Sequence, residues 1–172
     1  MASKLAAFFV SVFSFLGGTT LGKYIIVFII SCFPIIELRG ALPAASCLLH
    51  LSPWMSLVFA VLGNMFPVPF ILKYIKPLFA KLRKKKFMKK VVLYCEGKAD
   101  KKKGKIVDLQ YYGLFIFVAI PLPGTGAWMG SLIAALLDMD FKKSFLAILL
   151  GVIAAGIIML IVSYGMLGGL CS

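Results

Sequence analysis

Charged residues cut this chain into long apolar runs, and the lengths of those runs predict how it meets a membrane. Leu5 to Leu21 is 17 residues without charge, about 25 Å as a helix and at the short limit for one crossing of a roughly 30 Å hydrocarbon core. Gly40 to Leu72 is a charge-free run of 33 residues interrupted by Pro43, His50, Pro53, Pro67 and Pro69. It is too long for one span and must turn. Leu109 to Leu137, 29 residues, contains Pro121-Leu122-Pro123-Gly124-Thr125-Gly126, a cluster that breaks any straight helix.

The breaks fall at matching depths. Tyr24 to Ile36 precedes Glu37-Leu38-Arg39-Gly40 and Ala41 to Leu51 follows it; Tyr111 to Ile120 precedes the Pro-Gly cluster and Ala127 to Leu137 follows it. Each arm is about 15 to 20 Å long as a helix, close to half a bilayer. Each pair therefore reads as a re-entrant hairpin with its tip near the midplane. A shift of 88 positions lays Tyr24 on Tyr112, Leu48-Leu49 on Leu136-Leu137, Ser56 on Ser144 and Leu62-Gly63 on Leu150-Gly151, which marks an internal repeat. A hairpin returns to its own side and the helix after it (Trp54 to Ile75, Phe141 to about Gly165) crosses once, so the second unit starts on the opposite face. The expected fold is all-α integral membrane, an inverted repeat of re-entrant helical hairpin plus transmembrane helix, preceded by one N-terminal transmembrane helix. It forms a single polytopic domain over 1–172, with repeat 1 at about 23–78, a basic loop at about 79–108 and repeat 2 at about 109–172.

Composition agrees: 62% of residues are hydrophobic, 15% are charged and the mean hydropathy is +1.02, outside the range of soluble domains. The net charge of +13 is concentrated in one segment, since Lys73 to Lys105 holds fourteen basic residues against Glu96 and Asp100. By the positive-inside rule that loop is cytoplasmic. The count of crossings then puts the N-terminus with Lys4, and Lys142 and Lys143, inside as well, and the C-terminus outside, in a multi-pass protein of the cell membrane. The N-terminal run imitates a signal peptide but lacks a convincing cleavage site, and reads as a retained span. The charge run beside a membrane is expected to bind anionic lipid head groups; no nucleic acid is expected as a partner. Asp138 and Asp140 beside Lys142 and Lys143 read as a solvated cluster. Cys32, Cys47, Cys95 and Cys171 stand singly, with no C-x-x-C pair and one His50, so neither a metal site nor a disulfide framework is expected, and each cysteine reads as small apolar filler.

Two features can carry chemistry. Glu37 and Arg39 are ionisable groups at membrane depth, where each costs at least about 2.5 to 3.5 kcal/mol and needs a polar cavity, a partner or both. Spaced i, i+2, they would diverge on a helix, but in unwound backbone both can face one cavity. The bland alternative is an ion pair that pins the tip. At the second tip, Pro121, Pro123, Gly124, Thr125 and Gly126 expose backbone groups, which membrane depth tolerates only against protein or a wet cavity. Helices starting at Ala41 and Ala127 would aim their N-termini at the midplane, and with Gly40 close by and Arg39 adding a bidentate fork, they would favour an anionic substrate group. Glu37 is the expected carrier of H+ or Na+, and Thr125, its mirror at the 88 offset, a hydroxyl ligand for the coupling ion. No catalytic motif is present, so no enzyme activity, cofactor or metal is expected.

The segments Pro34-Ile35-Ile36-Glu37-Leu38-Arg39-Gly40-Ala41-Leu42-Pro43 and Pro121-Leu122-Pro123-Gly124-Thr125-Gly126-Ala127-Trp128 resemble the signatures of the small multidrug export protein family. Their layout is also similar to the DedA superfamily, whose members resemble inverted-repeat secondary transporters with two re-entrant hairpins. The resemblance implies a proton-coupled transporter of the cytoplasmic membrane, with lipid-phosphate carriers among the substrates of some DedA relatives. The second tip has no Arg, whereas DedA proteins typically carry charged residues near both hairpins, so that substrate does not carry over directly. The family name suggests cationic drugs, whereas Arg39 and two helix N-termini point to an anion.

The expected function is a secondary transporter or exporter that moves a small amphipathic or anionic molecule by alternating access. The alternatives are an uncoupled lipid flippase or scramblase, favoured by indifference to ion gradients, and a non-transporting scaffold with a polybasic lipid-binding loop, favoured by a tightly packed interior at Glu37. A body this small makes a homodimer plausible.

Overall fold

The computed structural model describes Phe8, Ser11 and residues 18–82, 107–122 and 125–166. The expected N-terminal span and the basic loop lie almost wholly outside these residues, as do Pro123 and Gly124. All regular structure among the described residues is helical: α1 Thr20–Cys32, α2 Glu37–Cys47, α3 Pro53–Met65, α4 Val68–Leu82, α5 Val107–Ala119, α6 Ala127–Leu136 and α7 Phe141–Leu160, which continues as a π-helical turn over Ile161–Met166.

Each boundary has a local cause. Thr19 caps α1, its hydroxyl accepting from the Gly22 N–H at 3.1 Å, which satisfies one of the donors a helix start leaves open. Pro34 ends α1 by forcing Phe33 into extended backbone (φ −82°, ψ 134°). Pro53 is the first residue of α3, where its missing N–H costs nothing. Asp140 caps α7 by accepting from the Lys143 N–H at 3.1 Å.

The first hairpin departs from expectation. Its irregular segment is residues 33–36, and Glu37-Leu38-Arg39-Gly40 forms the first turn of α2 instead of the unwound tip. The chain breaks at Pro34 rather than at the charges. Gly40 and Ala41 are accordingly buried inside α2, with the Gly40 N–H donating to Ile36 O at 3.1 Å. The second break falls where expected, with α5 ending at Ala119 and α6 starting at Ala127. The two long apolar segments, Pro53–Ile75 and Phe141–Gly165, coincide with the expected crossings, the former including a break between α3 and α4. Cys47, expected as filler, is disulfide-bonded. Scattered cysteines in a sequence carry no sign of which will meet in space.

Packing runs in equivalent ways in the two halves. α1 lies along α3 and α5 along α7. Gly63 permits the first contact, since a Cβ there would collide with the Phe28 carbonyl oxygen, and Gly151 the second, where a Cβ would stand 2.9 Å from the Phe115 carbonyl oxygen. Positive φ angles recur at His50 (49°) and Asp138 (56°), 88 positions apart, and at Glu37 (49°) and Gly126 (117°), one residue off that register. The halves also exchange partners: α4 packs on α6, and the end of α7 packs on α2, where the Ser46 hydroxyl donates to Ser163 O at 3.1 Å.

The core lies between these helices and is built of Ile26, Val27, Ile30, Leu38, Leu42, Val118 and Ile148 with small residues at the crossings. The outside is apolar as well. Ile35, Trp54, Tyr112 and Ile161 are each more than 60% exposed, a surface that would aggregate in water and that acyl chains cover without penalty. The protein is a membrane protein.

Candidate functional site

The two tips meet. Glu37 opens α2 in the left-handed region (φ 49°), a conformation that costs a non-glycine residue of order 1–3 kcal/mol and persists only where surroundings enforce it. Its carboxylate is buried against the start of α6. There Oε1 accepts from the Trp128 N–H at 3.4 Å, and Oε2 lies 3.9 Å from Arg39 Nη2. Both contacts are long for charge-assisted hydrogen bonds, so the carboxylate is enclosed yet loosely held. Gly126, immediately before α6, leaves the space it needs, because a Cβ on that residue would run into the carboxylate.

Arg39 makes its short contact elsewhere. Its Nη2 donates to Thr125 Oγ1 at 2.8 Å. The threonine hydroxyl donates in turn, shared between Ile120 O and Leu122 O, each at 2.8 Å, carbonyls just beyond the end of α5 that also accept the Leu122 and Thr125 N–H groups. Trp128 adds a second tie, its indole N–H donating to Cys32 O at 3.1 Å, at the end of α1. The Cys32 thiol donates to Gly63 O at 3.1 Å. The side chains of Glu37, Arg39, Thr125 and Trp128 thus find partners at the opposite tip or at the end of an incoming arm.

Between the tips is a small cavity of about 10 Å³, walled by Glu37, Leu38, Arg39, Asn64, Val118, Gly126, Ala127, Val152 and Ala155. This is about the smallest space that holds one water.

Residues 37–158 match the family described as "Putative small multi-drug export protein", a span that covers more than half of the chain and takes in Glu37, Arg39 and the second tip. The chain belongs to this family. No curated protein and no solved structure matches it.

Within this chain, Glu37, Arg39, Gly126 and Ala127 line the cavity, and Thr125 touches it through Arg39. Gly40, Ala41 and Pro121 do not line it; the first two are displaced into α2 by the earlier break at Pro34, and Pro121 stands half-buried beyond the end of α5. The carboxylate and the guanidinium, expected to share a cavity only if the backbone unwound, share one because Glu37 takes a positive φ at the helix start.

Asn64 is the wall residue that sequence reasoning missed. It is buried in α3, and its Oδ1 makes no hydrogen bond. The available signal was that it is the chain's one asparagine and sits in an otherwise apolar crossing, where polar side chains are rare. Trp128 was part of a signature segment, but its two N–H contacts depend on the fold.

Thr125→Val removes the acceptor of a half-buried guanidinium while keeping shape. We expect a loss of about 1.5–3 kcal/mol, read as a lower midpoint of thermal unfolding in detergent, with Thr125→Ser close to wild type.

Proposed function

We propose that this export-family protein is a secondary transporter that moves a small amphipathic molecule with an anionic head group by alternating access, coupled to H+ or Na+ through Glu37. The observation that carries the reading is the Glu37 carboxylate lying at the N-terminus of α6 beside Arg39. Two helix N-termini contribute about half a positive charge each and Arg39 a full one, against one carboxylate. The balance is positive even with Glu37 ionised. Glu37 therefore occupies the place that a phosphate or carboxylate of the substrate would take, and an arriving anion releases it to take up the coupling ion.

In this reading the two halves are an inverted repeat of re-entrant hairpins, within the layout of the wider DedA superfamily. The recurrent positive φ angles, the paired glycine contacts and the exchange of α4 and α7 between halves support the repeat. The orientation, with the N-terminus and basic loop inside, rests on the distribution of lysines. A disulfide at Cys47, on the end assigned to the oxidising exterior, fits the same orientation.

The size of the cavity favours a second reading, a non-transporting scaffold, because one water's volume admits no substrate without separation of the tips. Proteoliposomes decide between them. The probe is a fluorescent short-chain phosphatidic acid, driven by an imposed pH or sodium gradient. Gradient-driven accumulation is expected in the wild type and its loss in Glu37→Gln. Arg39→Ala should weaken probe binding by roughly 10–100-fold, the equivalent of one charge-assisted contact. Undiminished gradient-driven uptake by Glu37→Gln would refute the coupling role. Transfer that ignores gradients indicates a scramblase, and no transfer by any form indicates a scaffold.

A further inference from the structure

The cavity between the tips contains an unanswered polar group. Asn64 is 3% exposed, lines the same space as Glu37, and its Oδ1 has no hydrogen-bond partner. A buried carbonyl-type oxygen left without a partner costs about 1–3 kcal/mol, so native interiors answer such groups with protein or with water. Of the other walls, Leu38, Val118, Gly126, Ala127, Val152 and Ala155 carry no side-chain donor, and the Arg39 guanidinium, which does, is turned to Thr125 and Glu37. The volume admits one water, and a buried water needs at least two polar partners. Asn64 and the loosely held carboxylate provide them.

We infer that this cavity holds a single buried water, hydrogen-bonded to Asn64 Oδ1 and to the Glu37 carboxylate, and that protons reach Glu37 through it, with Asn64 as the positioning residue. The water donates one O–H to Asn64 and the other to the carboxylate. When it arrives as hydronium, its proton passes to the carboxylate oxygen, leaving a neutral carboxylic acid and a water in the same place.

A sodium ion suits the site less well. The Arg39 guanidinium is part of the same wall, and two oxygen-bearing side chains in one water's volume fall short of a metal's coordination shell. Arg39 is the charged group facing Glu37. From α1 comes the Cys32 thiol, turned to Gly63 O, and α3, α5, α6 and α7 place no titratable side chain in the wall among the described residues. The inference deepens the coupling role proposed for Glu37 by naming the proton as its ion.

The test uses infrared difference spectra of the full-length protein in lipid nanodiscs during acid titration, with the Glu37 carboxyl band assigned as the one absent from Glu37→Gln. In Asn64→Leu the band is expected at higher frequency, as the carboxyl group loses a hydrogen bond, and its exchange in deuterated water slowed by roughly tenfold, the factor one lost hydrogen bond supplies. Asn64→Ser, which keeps an oxygen, should exchange as the wild type does. An unchanged band and exchange rate in Asn64→Leu would overturn the proposal. A band shifted by sodium at constant pH would overturn it in favour of a cation site. Should the leucine variant fail to fold, Asn64→Ala against Asn64→Ser gives the same comparison. None of these readings uses transport, so a failure here is distinct from a failure of the transport assay.

Discussion

Gly126→Ala is expected to cost about 3 kcal/mol or more and to destroy the site between the tips. Gly126 has φ 117° and ψ −171°, a region open essentially to glycine alone, and forcing a side chain there costs of order 1–3 kcal/mol. The added methyl also strikes the Glu37 carboxylate. Pushing that group aside breaks its contacts with the Trp128 N–H and Arg39, and disruption of a buried ion pair alone costs about 3–5 kcal/mol. Part of this is recovered if the glutamate finds another rotamer, so the lower figure is the safer expectation. Unfolding of the detergent-solubilised protein by heat or by denaturing detergent measures it. Gly113→Ala is the control: nothing lies within 4 Å of a Cβ there, and alanine should be neutral or stabilise the helix by up to about 1 kcal/mol.

The second large effect is expected at Gly63. Alanine in mid-helix would gain about 1 kcal/mol in propensity, but its Cβ would overlap the Phe28 carbonyl oxygen. That atom is backbone and yields only if α1 moves. Moving α1 stretches the Ser31 hydroxyl bond to Ala60 O, 2.6 Å, and the Cys32 thiol contact with Gly63 O. Overpacking costs 1–3 kcal/mol in typical cores and more where the backbone resists, so Gly63→Val should lose about 3 kcal/mol by the same unfolding measurement. Gly151→Val should behave alike, against Val118 Cβ at 2.7 Å and Phe115 O at 2.9 Å. A loss confined to one of the two would contradict equivalent packing in the halves.

These glycines show what the sequence could disclose. Leu62-Gly63 and Leu150-Gly151 coincide under the 88-residue shift, yet only the fold reveals that each glycine faces a backbone carbonyl. The second tip was legible almost to the residue because proline and glycine act through local sterics, and α6 starts at Ala127 as the cluster dictates. The first tip was misplaced because Glu37 and Arg39 drew the break toward themselves. Charge states where a helix is expensive; proline states where it stops. Asn64 could not be assigned to the site, because an apolar run without polar periodicity does not show which face turns inward. The Cys47 disulfide needed proximity in space, which spacing along a chain does not supply.

The contact from Arg39 to Thr125 spans 86 residues, and this separation bears on biogenesis. At roughly 5–20 residues per second, the ribosome reaches Thr125 about 4–17 s after Arg39. Through that interval the guanidinium lacks the Thr125 hydroxyl and the carboxylate lacks the Trp128 N–H, and each has only the other as a partner. Insertion into lipid therefore has to be staged, with the early half kept hydrated or sheltered by the translocation machinery until the late half arrives to close over it.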